Sequence, residues 1–179
     1  MTDKEILSLF RQKGQAEKAF NELLKVYQER LYWHVRRMVV SHSDADDVLQ
    51  NTFLKIWKGL DKFRADSGLF TWLYRIATNE ALSFIKQRSA KQINVVNEAE
   101  DLVISRLEAD EYFDGDEIQK KLYAVLETLP RKQKLVFEMK YFQDLKYQEI
   151  SEILETSVGA LKASYHHAVK KIEHAFKED

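Results

Sequence analysis

Toward the C-terminal end of the chain, Ala160, Ala163, Ser164, His167 and Lys171 follow one another at helical spacing, with Lys162, His166 and Lys170 at i+4 steps beside them. Small and polar side chains at the start of a helix permit close approach to base edges, and flanking cations suit phosphates. The alanines fit thymine methyl groups, while Ser164 and His167 fit base-edge hydrogen bonds. An ordinary helical hairpin with a solvated face would show the same spacing, so both readings stand at this point. A second set is Arg75, Asn79, Ser83 and Lys86, which follow one another along a helix, with Phe63, Phe70, Trp72 and Tyr74 in or just after the preceding loop. Aromatic platforms beside cations and an amide are what holds unstacked bases, although aromatics at helical spacing also fill cores. A third set mixes acids, amides and a leucine: Asp46, Asp47, Gln50, Asn51 and Leu54. That face is either simply solvated or shaped to dock on a basic partner helix.

Catalytic chemistry finds little support. There is no cysteine, so thiol catalysis, disulfide scaffolds and Cys-based zinc sites are out, and a reducing cytoplasm fits. The five histidines offer no convincing metal face, since adjacent His166 and His167 point apart and His167 and His174 stand seven residues apart. Asp44, Asp46 and Asp47 lack complementary ligands and read better as capping and docking groups. Gly14, Gly59, Gly68, Gly115 and Gly159 are scattered, so no glycine loop cradles a phosphate. No enzyme, metal or cofactor is expected. No apolar run approaches the roughly 20 residues that span a bilayer, and the N-terminus resembles no signal peptide. A cytoplasmic protein without membrane insertion is the expectation.

The elements that must position these residues are helices. Of 179 residues, 45% are hydrophobic and only one is proline, which leaves a core to bury and few breakers. The spacing predicts helices over Gln15–Val40, Asp44–Leu60, Leu69–Arg88, Glu117–Thr128, Arg131–Phe142, Tyr147–Leu154 and Val158–Phe176. Ser43 with Asp46 resembles a capping box, Pro130 fits the first turn of its helix, and Ser157 is the expected N-cap of the last helix. The short helix, Glu155-Thr156-Ser157 and the longer helix have helix–turn–helix proportions. Ile93-Asn94-Val95-Val96 is the only β-like run and is too short for a sheet. Net charge is −1, but it is unevenly spread. Residues 97–117 carry nine acids against Arg106, between blocks of net +5 and +2. The acidic stretch is either a solvated linker or a segment that competes with nucleic acid for basic surfaces. The expected architecture is all-α: two small helical domains, 15–90 and 117–177, joined by an acidic linker over 91–116.

Three motifs carry a resemblance. Asp44-Ala45-Asp46-Asp47-Val48-Leu49-Gln50-Asn51-Thr52-Phe53-Leu54-Lys55-Ile56-Trp57 resembles the core-polymerase-binding helix of bacterial sigma factors. Phe70-Thr71-Trp72-Leu73-Tyr74-Arg75-Ile76-Ala77-Thr78-Asn79 is similar to their promoter-melting segment. Leu126-Glu127-Thr128-Leu129-Pro130-Arg131-Lys132-Gln133 and the terminal helix–turn–helix are similar to their fourth conserved region. The order and short spacing resemble the extracytoplasmic function subgroup of the sigma-70 family. The resemblance implies an initiation factor that takes core RNA polymerase to specific promoters and helps melt the DNA, with an anti-sigma factor as a further partner. It implies that Asp46, Asp47, Gln50, Asn51 and Leu54 dock on the polymerase's largest subunit. It implies that Phe63, Arg64, Phe70, Arg75, Asn79, Ser83 and Lys86 serve promoter melting, a flipped minus-ten base being caught by Asn79 and the loop before it. The terminal helix, with Ser157, Ala160, Lys162, Ala163, Ser164, His166, His167, Lys170 and Lys171, would then read the minus-thirty-five element. The linker would thread toward the RNA exit channel. Lys146 stands where an N-capping serine is usual, and Ser164 and His167 replace frequent arginines, so the promoter sequence does not transfer from relatives. The alternative class is a stand-alone helix–turn–helix regulator that binds duplex without polymerase.

Overall fold

A computed structural model describes residues 1–39, 41–91 and 115–177. Among the described residues every regular element is a helix, as the sequence predicts. The elements are α1 (Asp3–Phe10), α2 (Ala16–Val39), α3 (His42–Gly59) with a 3-10 turn Leu60–Lys62, α4 (Leu69–Lys91), α5 (Glu117–Thr128), α6 (Arg131–Phe137), α7 (Tyr147–Leu154) and α8 (Val158–Lys177). A π-turn, Glu138–Phe142, continues α6. The β-like run at 93–96 and most of the acidic segment lie outside the described residues. The chain divides into two compact units, Met1–Val39 with Ser43–Phe84, and Val40–His42 with Ile85–Asp179.

The first unit is built on the stripes that the sequence shows. Leu23, Tyr27, Leu31 and Val35 of α2, Leu49 and Ile56 of α3, and Leu73 and Ala77 of α4 are all buried. Their i, i+3, i+4 recurrence puts them on one side of each helix, and their burial removes apolar surface from water. Helix α1 is an addition that the apolar spacing did not predict. Thr2 and Glu5 form a complete capping box, with the Thr2 hydroxyl accepting from Glu5 N–H and the Glu5 carboxylate accepting from Thr2 N–H. Ile6 is fully buried, and the Tyr27 hydroxyl donates to Asp3 at 2.7 Å. Residues 1–14 therefore belong to this unit. Helix α3 begins at His42, which places Ser43 inside the first turn rather than at the cap. Gly59 lies where α3 passes Trp72: an added Cβ would meet the indole at 3.1 Å.

In the second unit Leu126, Leu129, Phe137 and Ala168 form the core, with Leu122, Tyr123, Phe142, Tyr165, Val169 and Ile172 packed against it. Pro130 sits just before α6 as its N-cap with an extended ψ of 137°, one position earlier than the sequence predicts. Beneath α6, Lys134 bonds to Glu127 at 2.5 Å and faces the buried Glu138 at 4.0 Å. Burial alone would lower the Lys134 pKa, but the two carboxylates outweigh it and hold the ammonium above its ordinary value.

Candidate nucleic-acid interface

The third set of side chains emerges intact on α3. Ala45, Val48, Leu49, Thr52 and Ile56 turn inward, which leaves Asp46, Asp47, Gln50, Asn51 and Leu54 exposed, Leu54 at 53%. A single exposed leucine is ordinary on a protein surface, so Leu54 by itself does not separate a wet face from one that is covered in use. Trp57, one turn beyond Leu54, extends this face at 38% exposure. Its indole is held edge-on by Phe20 at 5.1 Å and Phe10 at 6.0 Å. Trp57 closes the Asp44–Trp57 motif, but the sequence gives it no role in the site. An ion pair between Lys55 and Glu80 ties α3 to α4.

On α4 the face Asn79, Ser83 and Lys86 is exposed, with Arg75 half-buried at its head. Its register against α2 is fixed from below. Thr78 is 1% exposed, and its hydroxyl hydrogen-bonds the fully buried His34 at 2.8 Å. The loop that precedes α4 carries the exposed Arg64, then Ala65 at φ 60°, a left-handed conformation that costs a non-glycine residue about 1–2 kcal/mol. The aromatics divide. Phe70 remains half-exposed at the start of α4, lying 4.3 Å from Tyr74. Phe63, at 8% exposure, is instead packed 5.0 Å from Trp72 and is not brought to the surface with the others. A phenylalanine in a short loop carries no sequence signal that separates these two fates.

The helix–turn–helix matches its sequence-read bounds. Lys146 offers no side-chain oxygen to cap α7, and only the return bond exists, Lys146 N–H to Glu149 at 2.7 Å. Glu155 turns the chain in the left-handed region at φ 52°, and Thr156 N–H reaches back to Ser151 O. Ser157 then caps α8, its hydroxyl accepting from Ala160 N–H at 3.3 Å. Leu161 and Ala168 anchor α8 inward. Lys162, Ala163, His166, His167, Lys170 and Lys171 are exposed, and Ala160 and Ser164 are half-exposed. Small groups thus lead a face flanked by cations, as duplex reading requires.

Comparison with known proteins finds matches for both parts of the chain. The Sigma-70 region 2 family model matches residues 23–91, and the Sigma-70, region 4 model matches residues 119–172. The ECF RNA polymerase sigma-E factor of Escherichia coli (strain K12) is 29% identical over 177 residues, covering 90% of this chain and 88% of that protein. The RNA polymerase sigma-H factor of Pseudomonas aeruginosa is 28% identical with the same coverage. Two solved structures share the fold at 20% identity. They are the sigma factor RpoE with the anti-sigma factor NepR from Bartonella quintana (TM-score 0.68, 90% of this chain and 99% of that one), and CnrH with the cytosolic domain of CnrY (TM-score 0.72, 99% and 98%). With both regions present in order along one chain, this protein belongs to the sigma-70 family of RNA polymerase sigma factors, in its extracytoplasmic function subgroup.

Proposed function

We propose that three surfaces divide the work of this sigma factor, which binds core RNA polymerase, directs it to promoters and helps melt the DNA, and which is not an enzyme. The α3 face Asp46, Asp47, Gln50, Asn51 and Leu54 docks on polymerase. The loop before α4 and the face Arg75, Asn79, Ser83 and Lys86 hold the melted strand, with Phe70 as the aromatic platform. Ser157, Ala160, Lys162, Ala163, Ser164, His166, His167, Lys170 and Lys171 on and before α8 read the upstream duplex element. Residues 15–90 and 117–177 act as the two functional domains and 91–116 as the linker between them. The observation that carries the reading is that each surface is exposed on a helix whose opposite side is buried, so none is needed for its own unit's core.

The place of action follows from the partner: a factor that works on RNA polymerase works in the cytoplasm. Among the described residues no helix is long and apolar enough to cross a membrane. The two solved relatives are both complexes, one named as an anti-sigma complex, and we infer that an anti-sigma factor is a partner of this chain as well. The experiment is reconstitution with core polymerase, followed by promoter sequencing of the transcripts. Initiation at a restricted promoter set supports the reading. Duplex binding that is specific without polymerase, and no transcription with it, would favour a stand-alone regulator instead.

A further inference from the structure

Helix α2 carries a ridge that none of the three proposed surfaces uses. Val26, Arg30, Trp33 and Arg37 stand at i, i+4, i+7 and i+11, so they share one side of the helix, bordering the buried edge of Tyr27, Leu31 and His34. Val26 is 38% exposed and Trp33 39%. An indole left this open suits a surface that is covered in use. Each arginine is paired with a ring. The Arg30 guanidinium lies 5.0 Å from the centre of Phe70 and 6.0 Å from that of Tyr27. Arg37 lies 6.0 Å from the Trp33 ring and donates to the Trp33 carbonyl oxygen at 3.3 Å. The ridge is continuous with α4, because Phe70, under Arg30, also lies against Tyr74, which in turn lies 4.9 Å from His34.

We propose that this ridge is a further binding site for the unpaired promoter strand, with Arg30 and Arg37 on its phosphates and Trp33 under one of its bases. The proposal rests on the reading that α4 and its loop hold the melted strand. Three features favour this occupant. Arg30 joins the ridge to the Phe70 platform, so a strand leaving α4 meets it without a gap. The backbones of Arg30 and Arg37 are two helical turns apart, about 10 Å along the axis, and Trp33 lies between them in sequence. Guanidiniums beside a partly exposed indole match a single strand, whose unstacked bases can lie on the ring, and not a duplex, whose bases are stacked on each other. Of the acids on α2, Glu29 is exposed beside Arg30 in sequence and Glu22 is paired with Lys25 at 2.7 Å, while Asp3 of α1 accepts from the Tyr27 hydroxyl.

The test uses holoenzyme reconstituted with core polymerase and a promoter fragment carrying a preformed bubble, with the fully paired fragment alongside. Arg30→Gln combined with Arg37→Gln should lower affinity for the bubble about tenfold and reduce the salt slope by about 0.7 per arginine lost. Trp33→Ala should weaken bubble binding about tenfold as well, and Trp33→Tyr, which keeps a ring face, should restore most of it. Affinity for core polymerase and for the paired fragment should not change. Asn79→Ala serves as the marker of the α4 reading. If it weakens bubble binding and the ridge variants do not, the ridge proposal is overturned while the α4 reading stands. Loss in the ridge variants with Asn79→Ala unchanged supports the ridge and removes Asn79, but not the rest of α4, from the strand-holding face. A ridge variant that lowers core affinity marks a protein-docking surface and overturns the proposal. Loss of bubble affinity with an unchanged salt slope also overturns it, because the arginines then touch no phosphate.

Discussion

Asn79 stands exposed one position after Thr78, which the buried His34 holds in place. That anchoring separates function from folding: the side chain at 79 adds nothing to the core. Asn79→Ala should impair open-complex formation and leave upstream-element binding nearly intact, since unpairing a base costs a few kcal/mol that a pocket contact helps offset. Permanganate footprinting of thymines in the melted region reads the difference, and equal loss of closed and open complexes would point to a folding defect. Asp47 and Gln50 are likewise exposed, one turn apart on α3. Replacing both with alanine should weaken core binding by about 1–3 kcal/mol, the scale of charge-assisted hydrogen bonds, without loss of helicity. Competition against the wild type for core enzyme measures it, and an unchanged affinity would remove α3 from the docking surface.

Helices in this protein are held to one another by a few polar ties laid over apolar contacts. Tyr27 ties α2 to α1 through Asp3, and burial first, then that bond, raise its pKa well above the ordinary value. A hydroxyl whose folded pKa exceeds its unfolded value of about 10 stabilises fully below pH 10, and the contribution is lost as pH rises toward the folded value. Tyr27→Phe should therefore lose about 0.5–1.5 kcal/mol at neutral pH and show a shallower loss of stability than the wild type between about pH 8 and 11. Denaturant melts at the two pH values decide it. Coincident curves would mean that the hydroxyl contributes nothing, and parallel, offset curves that its pKa is the same folded and unfolded. Lys134, whose pKa is also raised, declines alike in both proteins and cancels from the comparison.

Across the whole chain the charge is segregated, with net −8 over 97–117 between blocks of net +5 and +2. A tethered acidic stretch has a high effective concentration at the basic faces of its own chain. We propose that several such ion pairs, each weak and screened beyond roughly 8–10 Å, together compete with phosphates during encounter. Converting Glu98, Glu100, Asp101, Glu108, Asp110 and Glu111 to amides should raise the DNA affinity of the free protein and impair linker placement in the holoenzyme. Binding measured at several salt concentrations, with and without core enzyme, tests both halves. If the amide variant binds free DNA no better at low salt, the acids are only a spacer.

Periodicity and punctuation made most of the fold legible in the sequence. Long stripes such as Leu23, Tyr27, Leu31 and Val35, and a cap such as Ser157, are local signals, because helix formation depends on neighbours within one or two turns. The exposed faces on α3 and α8 were legible for the same reason, as the complement of a buried stripe. Helix α1 was missed although Ile6, Leu9 and Phe10 stand at i, i+3 and i+4 and a Thr2–Glu5 box precedes them, because eight residues give only two turns over which the period can repeat. What tertiary structure alone decided was the fate of single side chains. Phe63 and Phe70 are alike in type and flank one loop, yet one is sealed against Trp72 and the other stays open beneath Arg30. Trp33 and Trp57, large aromatics to which no sequence pattern assigned a place, stand a third or more exposed. Helical spacing tells which side of a helix a residue occupies. Whether another helix covers that side depends on contacts far apart in the chain, and no local pattern encodes them.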